Sequence, residues 1–143
     1  MDEKLAKLKK EVLGHFKKEQ IVFLATGEGD KPRVRPVTLI YFNDRFWVTT
    51  GANTAKIKQI KGNANIEFCL MFKKDKSNGY IRGAGIAKII QDIKIKKLLA
   101  DNIPFFKDYW ETPDDPNFAL VELVIKEIEY LQPEEFLSKR FSL

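Results

Sequence analysis

The sequence contains a single cysteine, Cys69, and a single histidine, His15, among its 143 residues. One cysteine cannot form a disulfide within the chain. One histidine, with no cysteine or acidic cluster beside it, does not supply a zinc site or the triad of a serine hydrolase. Cys69 alternates with Phe68 and Leu70 in an apolar stretch, which favours a thiol packed in the core.

The sequence also lacks long apolar runs and the common nucleotide-binding motifs. No stretch is apolar for long enough to cross a bilayer, and the N-terminal residues are too charged for a secretory signal. Neither a Gly-x-Gly-x-x-Gly fingerprint nor a P-loop occurs. We therefore expect a cytoplasmic protein without a membrane partner, in which any redox chemistry needs a bound cofactor.

The excess of positive charge is modest, with 25 Lys and Arg against 20 Asp and Glu. The lysines are spread along the whole chain, without a dense basic run or an RNA-binding signature. This distribution is typical of a solvated surface, so we expect no nucleic-acid partner. The small excess also suits a ligand that carries a phosphate.

The length predicts a single domain over residues 1–143, large enough to bury a core of its own. Apolar residues at helical spacing, together with capping residues, predict three helices, over 2–18, 54–61 and 92–99. Runs rich in β-forming residues, separated by turn signals, predict six strands, over 21–26, 32–42, 45–50, 65–73, 80–91 and 118–131.

The order of these elements indicates the fold class. The helices come between hairpin-linked strands, which favours a closed barrel over a doubly wound sheet. We predict a mainly β fold, a six-stranded antiparallel barrel flanked by short α-helices. Gly83 and Gly85 lie inside one strand, where they indicate bending or close approach of another backbone. We expect a polar loop at 74–79, a loop with short helical pieces at 101–117, and a turn or helix after Leu131.

Two neighbouring segments carry residues suited to binding an anion. The first reads RVRPVT over residues 33–38, and the second reads TTGANTAK over residues 49–56. A short hairpin joins them, so they should lie on adjacent antiparallel strands. Arg35 is then expected close to Thr49 and Thr50.

The second segment ends at the start of a predicted helix, where free N–H groups and the helix dipole attract anions. The hydroxyls of Thr50 and Thr54, the ammonium group of Lys56 and the guanidinium group of Arg35 add donors and positive charge. Together these groups predict a phosphate pocket. Alternatively, Thr54 is only a helix cap, Lys56 only a surface lysine and Arg35 only an exposed strand residue.

In this order, the segments resemble the pyridoxamine 5′-phosphate oxidase-like family of FMN-binding split barrels. The resemblance runs from about Glu3 to Leu131 and is greatest to the small single-domain branch described as general stress proteins. It is carried by the opening helix and by the segments IVFLAT, PRVRPVTL, FWVTTGANTAKIKQIKGNANIEFCL, YIRGAGIAKII and DDPNFALVELVIKEIEYL. It implies a six-stranded split barrel that binds FMN, with the flavin at the interface of a homodimer.

The resemblance also implies roles for individual residues. Arg35 corresponds to the basic residue at the start of the family's flavin strand, and Thr54 and Lys56 correspond to its phosphate loop. Further flavin contacts, along the isoalloxazine edge or from neighbouring strands, are implied for Pro36, Val37, Thr38, Thr49, Thr50 and Tyr80.

Two of the chain's departures from a true pyridoxamine phosphate oxidase bear on the binding of phosphate and of substrate. Ala55 replaces the arginine that this enzyme carries before its lysine, which predicts a weaker hold on phosphate. The last residues, 138–143, lack a match to the enzyme's substrate-binding tail. We therefore expect a different, unknown small-molecule substrate.

A proline-bounded segment carries four aromatic residues, Phe105, Phe106, Tyr109 and Trp110. Such a cluster forms either a local core or an interface. In the family that the chain resembles, this region of one subunit lies close to the flavin of the other. The resemblance thus implies a homodimer in which Tyr109 or Trp110 contacts the flavin of the second subunit.

Several functions remain open at this point. One is an FMN-dependent oxidoreductase acting on an unknown small molecule, with no side chain evident as its acid or base. Another is a non-enzymatic module that stores flavin or passes electrons to another protein. The same fold could also hold a deazaflavin, haem or no cofactor at all. Haem is disfavoured because His15 lies far from the pocket segments in the sequence.

Overall fold

The computed structural model describes residues 2–143. Its helices are α1 (Glu3–Leu13), α2 (Ala55–Gly62) and α3 (Ile93–Asn102), with a short 3₁₀-helix at Phe106–Asp108. Its strands are β1 (Glu19–Glu28), β2 (Lys31–Phe42), β3 (Arg45–Gly51), β4 (Asn65–Lys74), β5 (Ser77–Ile90), β6 (Phe118–Leu131) and β7 (Lys139–Ser142). Over residues 2–143, no helix combines the length and the hydropathy that crossing a membrane requires.

Helix α1 is shorter than the sequence pattern predicts. It begins after Asp2, whose carboxylate accepts a hydrogen bond of 2.9 Å from the N–H of Lys4. It ends at Leu13, and Gly14 forms its C-cap. Phe16 lies beyond the helix but is still buried in the barrel core, which explains why the apolar spacing continues past the helix end.

Six antiparallel strands close into a ring in the order β3-β2-β1-β4-β5-β6, with β6 paired back onto β3. The predicted antiparallel barrel with flanking helices is therefore confirmed. Closure pairs the backbone N–H and C=O groups that the edge strands of an open sheet would leave unpaired. The ring also places the two anion-binding segments on neighbouring strands, as expected, because β2 pairs with β3.

The tail forms a seventh strand, so the prediction of a turn or helix after Leu131 is wrong. Strand β6 is longer than its overlap with β3, which ends at Leu123, and it leaves an open edge at residues 127–130. Strand β7 pairs with this edge. Arg140 secures it through a contact of 2.6 Å between its Nη2 and Oε1 of Glu129.

In two of the hairpins, a short turn joins the two strands. Asn43 and Asp44 connect β2 to β3 with φ angles of 54° and 58°, which suit a tight hairpin turn. The polar loop predicted at 74–79 is shorter than expected. Strands β4 and β5 stay paired as far as Lys74 and Ser77, so only two residues form the turn.

Glycine is required where β5 meets its neighbours. A Cβ on Gly83 would come within 2.6 Å of the Phe68 ring, and a Cβ on Gly85 would clash with the carbonyl group of Val124. The register of β5 on β6 shifts between Ala84 and Gly85. The close backbone approach predicted from these glycines is confirmed.

Two apolar clusters stabilise the fold. The barrel interior holds the larger one, whose fully buried members include Val22, Leu24, Leu39, Phe68, Ile81 and Ile128. The second lies outside the ring, under α3 and the 3₁₀-helix, and its buried members are Ile40, Trp47, Leu99, Ile103, Phe106, Phe118 and Leu120. The second cluster covers one side of the barrel and fixes the segment that follows α3.

Cys69 lies on the outer face of β4 and not in the core. Phe68 and Leu70 are buried in the barrel interior, so alternation along the strand turns the residue between them outward. There the thiol is half-buried, with Arg82 opposite it on β5. The predicted core thiol is therefore wrong. Burial raises the pKa of Cys69 above its ordinary value.

Candidate functional site

A cavity of about 490 Å³ opens on the outer face of the barrel. This volume is within the range of small-molecule sites. Its walls come from β1, β2 and β3, from the first turn of α2, and from the segment around the 3₁₀-helix. We call it the outer cavity, and it is lined by Glu19, Gln20, Ile21, Pro36, Val37, Thr38, Thr49, Lys56, Phe105 and Tyr109.

Strand alternation places part of the predicted site on the cavity wall. In β2, the side chain of Val37 belongs to the barrel core, so Pro36 and Thr38 point outward. In β3, Thr49 lines the outer cavity, whereas Thr50 is buried on the inner face. The two threonines that the sequence suggested as a pair therefore face different surfaces.

Arg35 lies at the end of the barrel next to α2. Its Nη2 donates a hydrogen bond of 2.6 Å to Oε1 of Gln59, and its Nη1 donates one of 3.2 Å to the carbonyl oxygen of Leu24. These two bonds hold the guanidinium group across the junction between β1 and α2. Arg35 is therefore not the free surface residue that the alternative interpretation of the sequence described.

Lys56 lies where this end of the barrel meets the outer cavity. It lines the cavity, and its Nζ donates a hydrogen bond of 2.6 Å to Oγ1 of Thr50. Thr54 stands at the N-cap of α2, but its hydroxyl donates to the carbonyl oxygen of Gly51 at 3.0 Å and does not cap the helix. The first turn of α2 thus keeps N–H groups that no side chain of its N-cap residue satisfies.

The pKa values of Lys56 and Arg35 are both lowered by their surroundings. Burial lowers the pKa of Lys56 below its ordinary value, and the nearby positive charge of Arg35 lowers it further. Burial also lowers the pKa of Arg35. Among residues 2–143, neither cation forms an ion pair with a carboxylate. An anion between them would compensate both charges.

The aromatic segment divides between the cavity and the core. Phe105 and Tyr109 line the outer cavity, and the Tyr109 side chain is 70% exposed. Trp110 instead packs on its own chain, with ring centroids 4.8 Å from Phe118 and 5.5 Å from Phe106. The structure therefore does not place Trp110 on the cavity wall, because it completes the apolar cluster under α3.

Tyr80 is not brought together with the other predicted site residues. Its hydroxyl group donates a hydrogen bond of 2.9 Å to Oε2 of Glu129 on β6, and that carboxylate also binds Arg82. The carboxylate of Glu129 raises the pKa of Tyr80 through this hydrogen bond. Within this chain, Tyr80 therefore belongs to an ionic network and not to the outer cavity.

A family model described as pyridoxamine 5′-phosphate oxidase matches residues 8–132 of the chain. The chain belongs to the pyridoxamine 5′-phosphate oxidase family. It is similar to general stress protein 26 of Bacillus subtilis (strain 168), with 25% identity over 130 residues, which is 90% of this chain and 91% of the relative.

Solved structures of this family share the fold. A NimC/NimA family protein from Clostridium acetobutylicum superposes with a TM-score of 0.77 at 26% identity, covering 94% of this chain and 91% of that one. General stress protein 26 from Bacillus anthracis str. Sterne gives a TM-score of 0.74 at 24% identity, covering 95% and 98% of the two chains. The split barrel expected from the resemblance is thereby confirmed.

Two groups of residues at the outer cavity and the adjoining barrel end escape sequence analysis. Glu19, Gln20 and Ile21 line the outer cavity because β1 pairs with β2, which sets Ile21 opposite Thr38. A register predicted for that hairpin could have found them. Gln59 is buried on α2, one turn after Lys56, and its only signal is a polar residue beside buried isoleucines.

An apolar surface continues from the outer cavity across the outer faces of β1, β2 and β4. Ile21 belongs to both the cavity and this surface. The exposed apolar side chains on these strands are Ile21 (59% exposed), Phe23 (46%), Val34 (68%) and Met71 (57%). We call them the apolar face. Because β1 pairs with both β2 and β4, these side chains lie on neighbouring strands, and an exposed apolar surface of this kind is typical of an interaction site.

Proposed function

We propose that this chain is a flavoprotein that binds FMN in the outer cavity. The observation that carries the proposal is the relation between Arg35 and Lys56, two neighbouring, partly buried cations that form no ion pair with a carboxylate among residues 2–143. A phosphate group beside them would reduce their mutual repulsion and accept charge-assisted hydrogen bonds. The hydroxyl of Thr50 and the uncapped start of α2 would add donors.

The rest of the cavity suits a flat ring system. Pro36, Thr38 and Thr49 form a wall along two strands, and Phe105 and Tyr109 add aromatic rings. Such rings pack against a conjugated system by stacking or edge contacts. The sequence resemblance implies that β2 is the strand that contacts the flavin, and Pro36, Val37 and Thr38 of this strand line the cavity.

We propose an oxidoreductase that acts on an unknown small molecule. Bound FMN would supply the electron transfer, while the protein binds and orients it and limits the access of water. The ionisable side chains on the cavity wall are Glu19, Lys56 and Tyr109, and none is assigned as an acid or base. This lack of an arranged pair makes a non-enzymatic flavin-binding or electron-transfer module the second candidate. Consumption of NADH or NADPH with an added acceptor distinguishes the two.

The tail supports a substrate other than pyridoxamine phosphate. Arg140 pairs with Glu129, and β7 pairs with β6, so this basic residue is engaged outside the outer cavity. Ala55 also leaves the first turn of α2 without the arginine of the true oxidase. The pairing of Arg140 leaves it unavailable to a phosphorylated substrate at the outer cavity, whereas Ala55 predicts weaker binding of the FMN phosphate.

We further propose that a second copy of the chain completes the site. The apolar face borders the outer cavity at Ile21, so a partner covering Phe23 and Val34 would also close the cavity on that side. Burial of these side chains favours association by about 25 cal/mol per Å² of apolar surface removed from water. The proposed unit is therefore a homodimer with flavin at the interface.

The decisive experiment is absorbance and mass spectrometry of the freshly purified protein. We expect a flavin spectrum and the mass of FMN, or tight uptake of added FMN with quenching of its fluorescence. A deazaflavin or haem would be recognised by a different spectrum and mass, and haem would need a ligand other than His15, which does not line the outer cavity. A colourless protein that fails to quench FMN would contradict the proposal.

A further inference from the structure

Gln59 is a buried polar side chain at the end of the barrel where Arg35 and Lys56 lie. It lies on α2, in the turn after Lys56, and is only 8% exposed. Its Oε1 accepts hydrogen bonds from the hydroxyl of Thr26 at 2.5 Å and from Nη2 of Arg35 at 2.6 Å. Because buried amides need such partners, the geometry of this group is tightly constrained.

The other end of the Gln59 amide faces a carboxylate. Its Nε2 donates to Oε2 of Glu28 at 3.5 Å, while Oε1 of Glu28 accepts from Arg33 at 2.8 Å. The amide therefore stands between Arg35 and the acidic group at the end of β1. Arg35 makes no ion pair with Glu28, although a guanidinium group binds carboxylates strongly.

We infer that Gln59 is a positioning residue that holds Arg35 at the anion site without neutralising its charge. A neutral amide accepts a hydrogen bond from the guanidinium group but contributes no negative charge. A carboxylate at this position would bind Arg35 as an ion pair and compete with an incoming phosphate. This inference rests on the proposed binding of FMN and concerns the recognition of its phosphate group.

The substitution Gln59→Glu tests the inference, because it keeps the size and the acceptor but adds a negative charge. We expect it to reduce the preference for FMN over riboflavin by at least about tenfold, with little loss of riboflavin affinity. Gln59→Leu is a second variant that removes the acceptor, and it should lower the same preference. Lys58→Gln is the control, since it makes the same change in net charge at an exposed position of α2.

The measurement is fluorescence titration of each purified variant with FMN and with riboflavin, together with its melting temperature. If Gln59→Glu lowers the affinities for FMN and for riboflavin equally, Gln59 only stabilises the packing of α2 on the barrel, and the inference is wrong. If the wild type prefers FMN and Gln59→Glu keeps that preference, the inference alone fails. If the wild type does not prefer FMN, the phosphate site itself is absent and the proposed function fails with it.

Discussion

The Nζ of Lys56 donates a hydrogen bond of 2.6 Å to Oγ1 of Thr50, across the junction between β3 and α2. Thr50 is buried on the inner face of β3, while Lys56 lines the outer cavity. The bond therefore holds an ammonium group at the point where the barrel end and the cavity meet. Its position beside Arg35 makes Lys56 the most direct test of phosphate recognition.

The variant Lys56→Ala should weaken FMN binding by about 1.5–3 kcal/mol, the range for a lost charge-assisted hydrogen bond. Riboflavin has no phosphate, so its affinity should change much less. Fluorescence titration with both ligands measures the difference, and Lys61→Ala on the exposed end of α2 is the control. Equal losses for FMN and riboflavin would show that Lys56 does not contact the phosphate.

FMN affinity should fall at alkaline pH sooner than an ordinary lysine predicts. The pKa of Lys56 is lowered by burial and by Arg35, so the ammonium group loses its proton at a lower pH than usual. The protonated form binds phosphate, and deprotonation removes that attraction. Lys56→Arg should abolish this dependence, because a guanidinium group stays protonated. If FMN affinity declines equally at alkaline pH in the wild type and in Lys56→Arg, a group other than Lys56 causes the decline.

His15 should make the protein less stable at mildly acidic pH. Its ring stacks on Phe72 at 4.2 Å, and its Nε2 lies 3.2 Å from the hydroxyl of Tyr130. Partial burial lowers the pKa of His15, against the opposing charge of Glu11. Burial also raises the pKa of Tyr130 to about 12, so its hydroxyl keeps its proton.

The direction of this stability change follows from the number of protons that the folded and unfolded states bind. Below about pH 6.5, the unfolded chain protonates its histidine while the folded one resists, so the unfolded state binds more protons and stability falls as pH drops. The loss is complete once the pH is below the lowered pKa. Denaturant titrations between pH 7 and pH 5 should show a smaller change for His15→Gln. Parallel curves for the two proteins would exclude His15 as the source.

The aromatic segment offers a pair of variants with opposite expected effects. Trp110→Ala should cost about 1–3 kcal/mol of folding stability, because it removes contacts with Phe106 and Phe118. Tyr109→Ala removes a side chain that is 70% exposed, so stability should change little while flavin affinity falls. Denaturant unfolding and FMN titration of both variants check this division. A Trp110→Ala protein that keeps its folding stability but binds FMN more weakly would contradict this assignment of roles.

Phe23→Glu should break the proposed homodimer. Phe23 is 46% exposed at the centre of the apolar face, where a buried, unpaired carboxylate would oppose association. Light scattering should report half the mass of the wild type, and FMN affinity should fall with it. Phe136→Glu is the control, because Phe136 is 98% exposed on the segment before β7. A wild-type monomer that binds FMN tightly would contradict the composite site.

The sequence by itself determined the six strands of the ring, the hairpin turn between β2 and β3, and the candidate residues for an anion. A run rich in β-forming residues predicted β6 over Phe118–Leu131, and Asn43 with Asp44 marked a hairpin that has positive φ angles at both positions. These features are local, because they depend on side-chain spacing and backbone preference within a few residues. The order of Arg35 and Lys56 in neighbouring segments was visible for the same reason.

Only the tertiary structure decided which face each residue occupies. Closure of the ring turned Cys69 outward, separated Thr49 from Thr50 and buried Gln59 against Arg35. The tail became β7 because β6 offered a free edge at residues 127–130. Such outcomes depend on contacts between residues far apart in the chain, and a period of two tells which residues share a face without telling which face is inside.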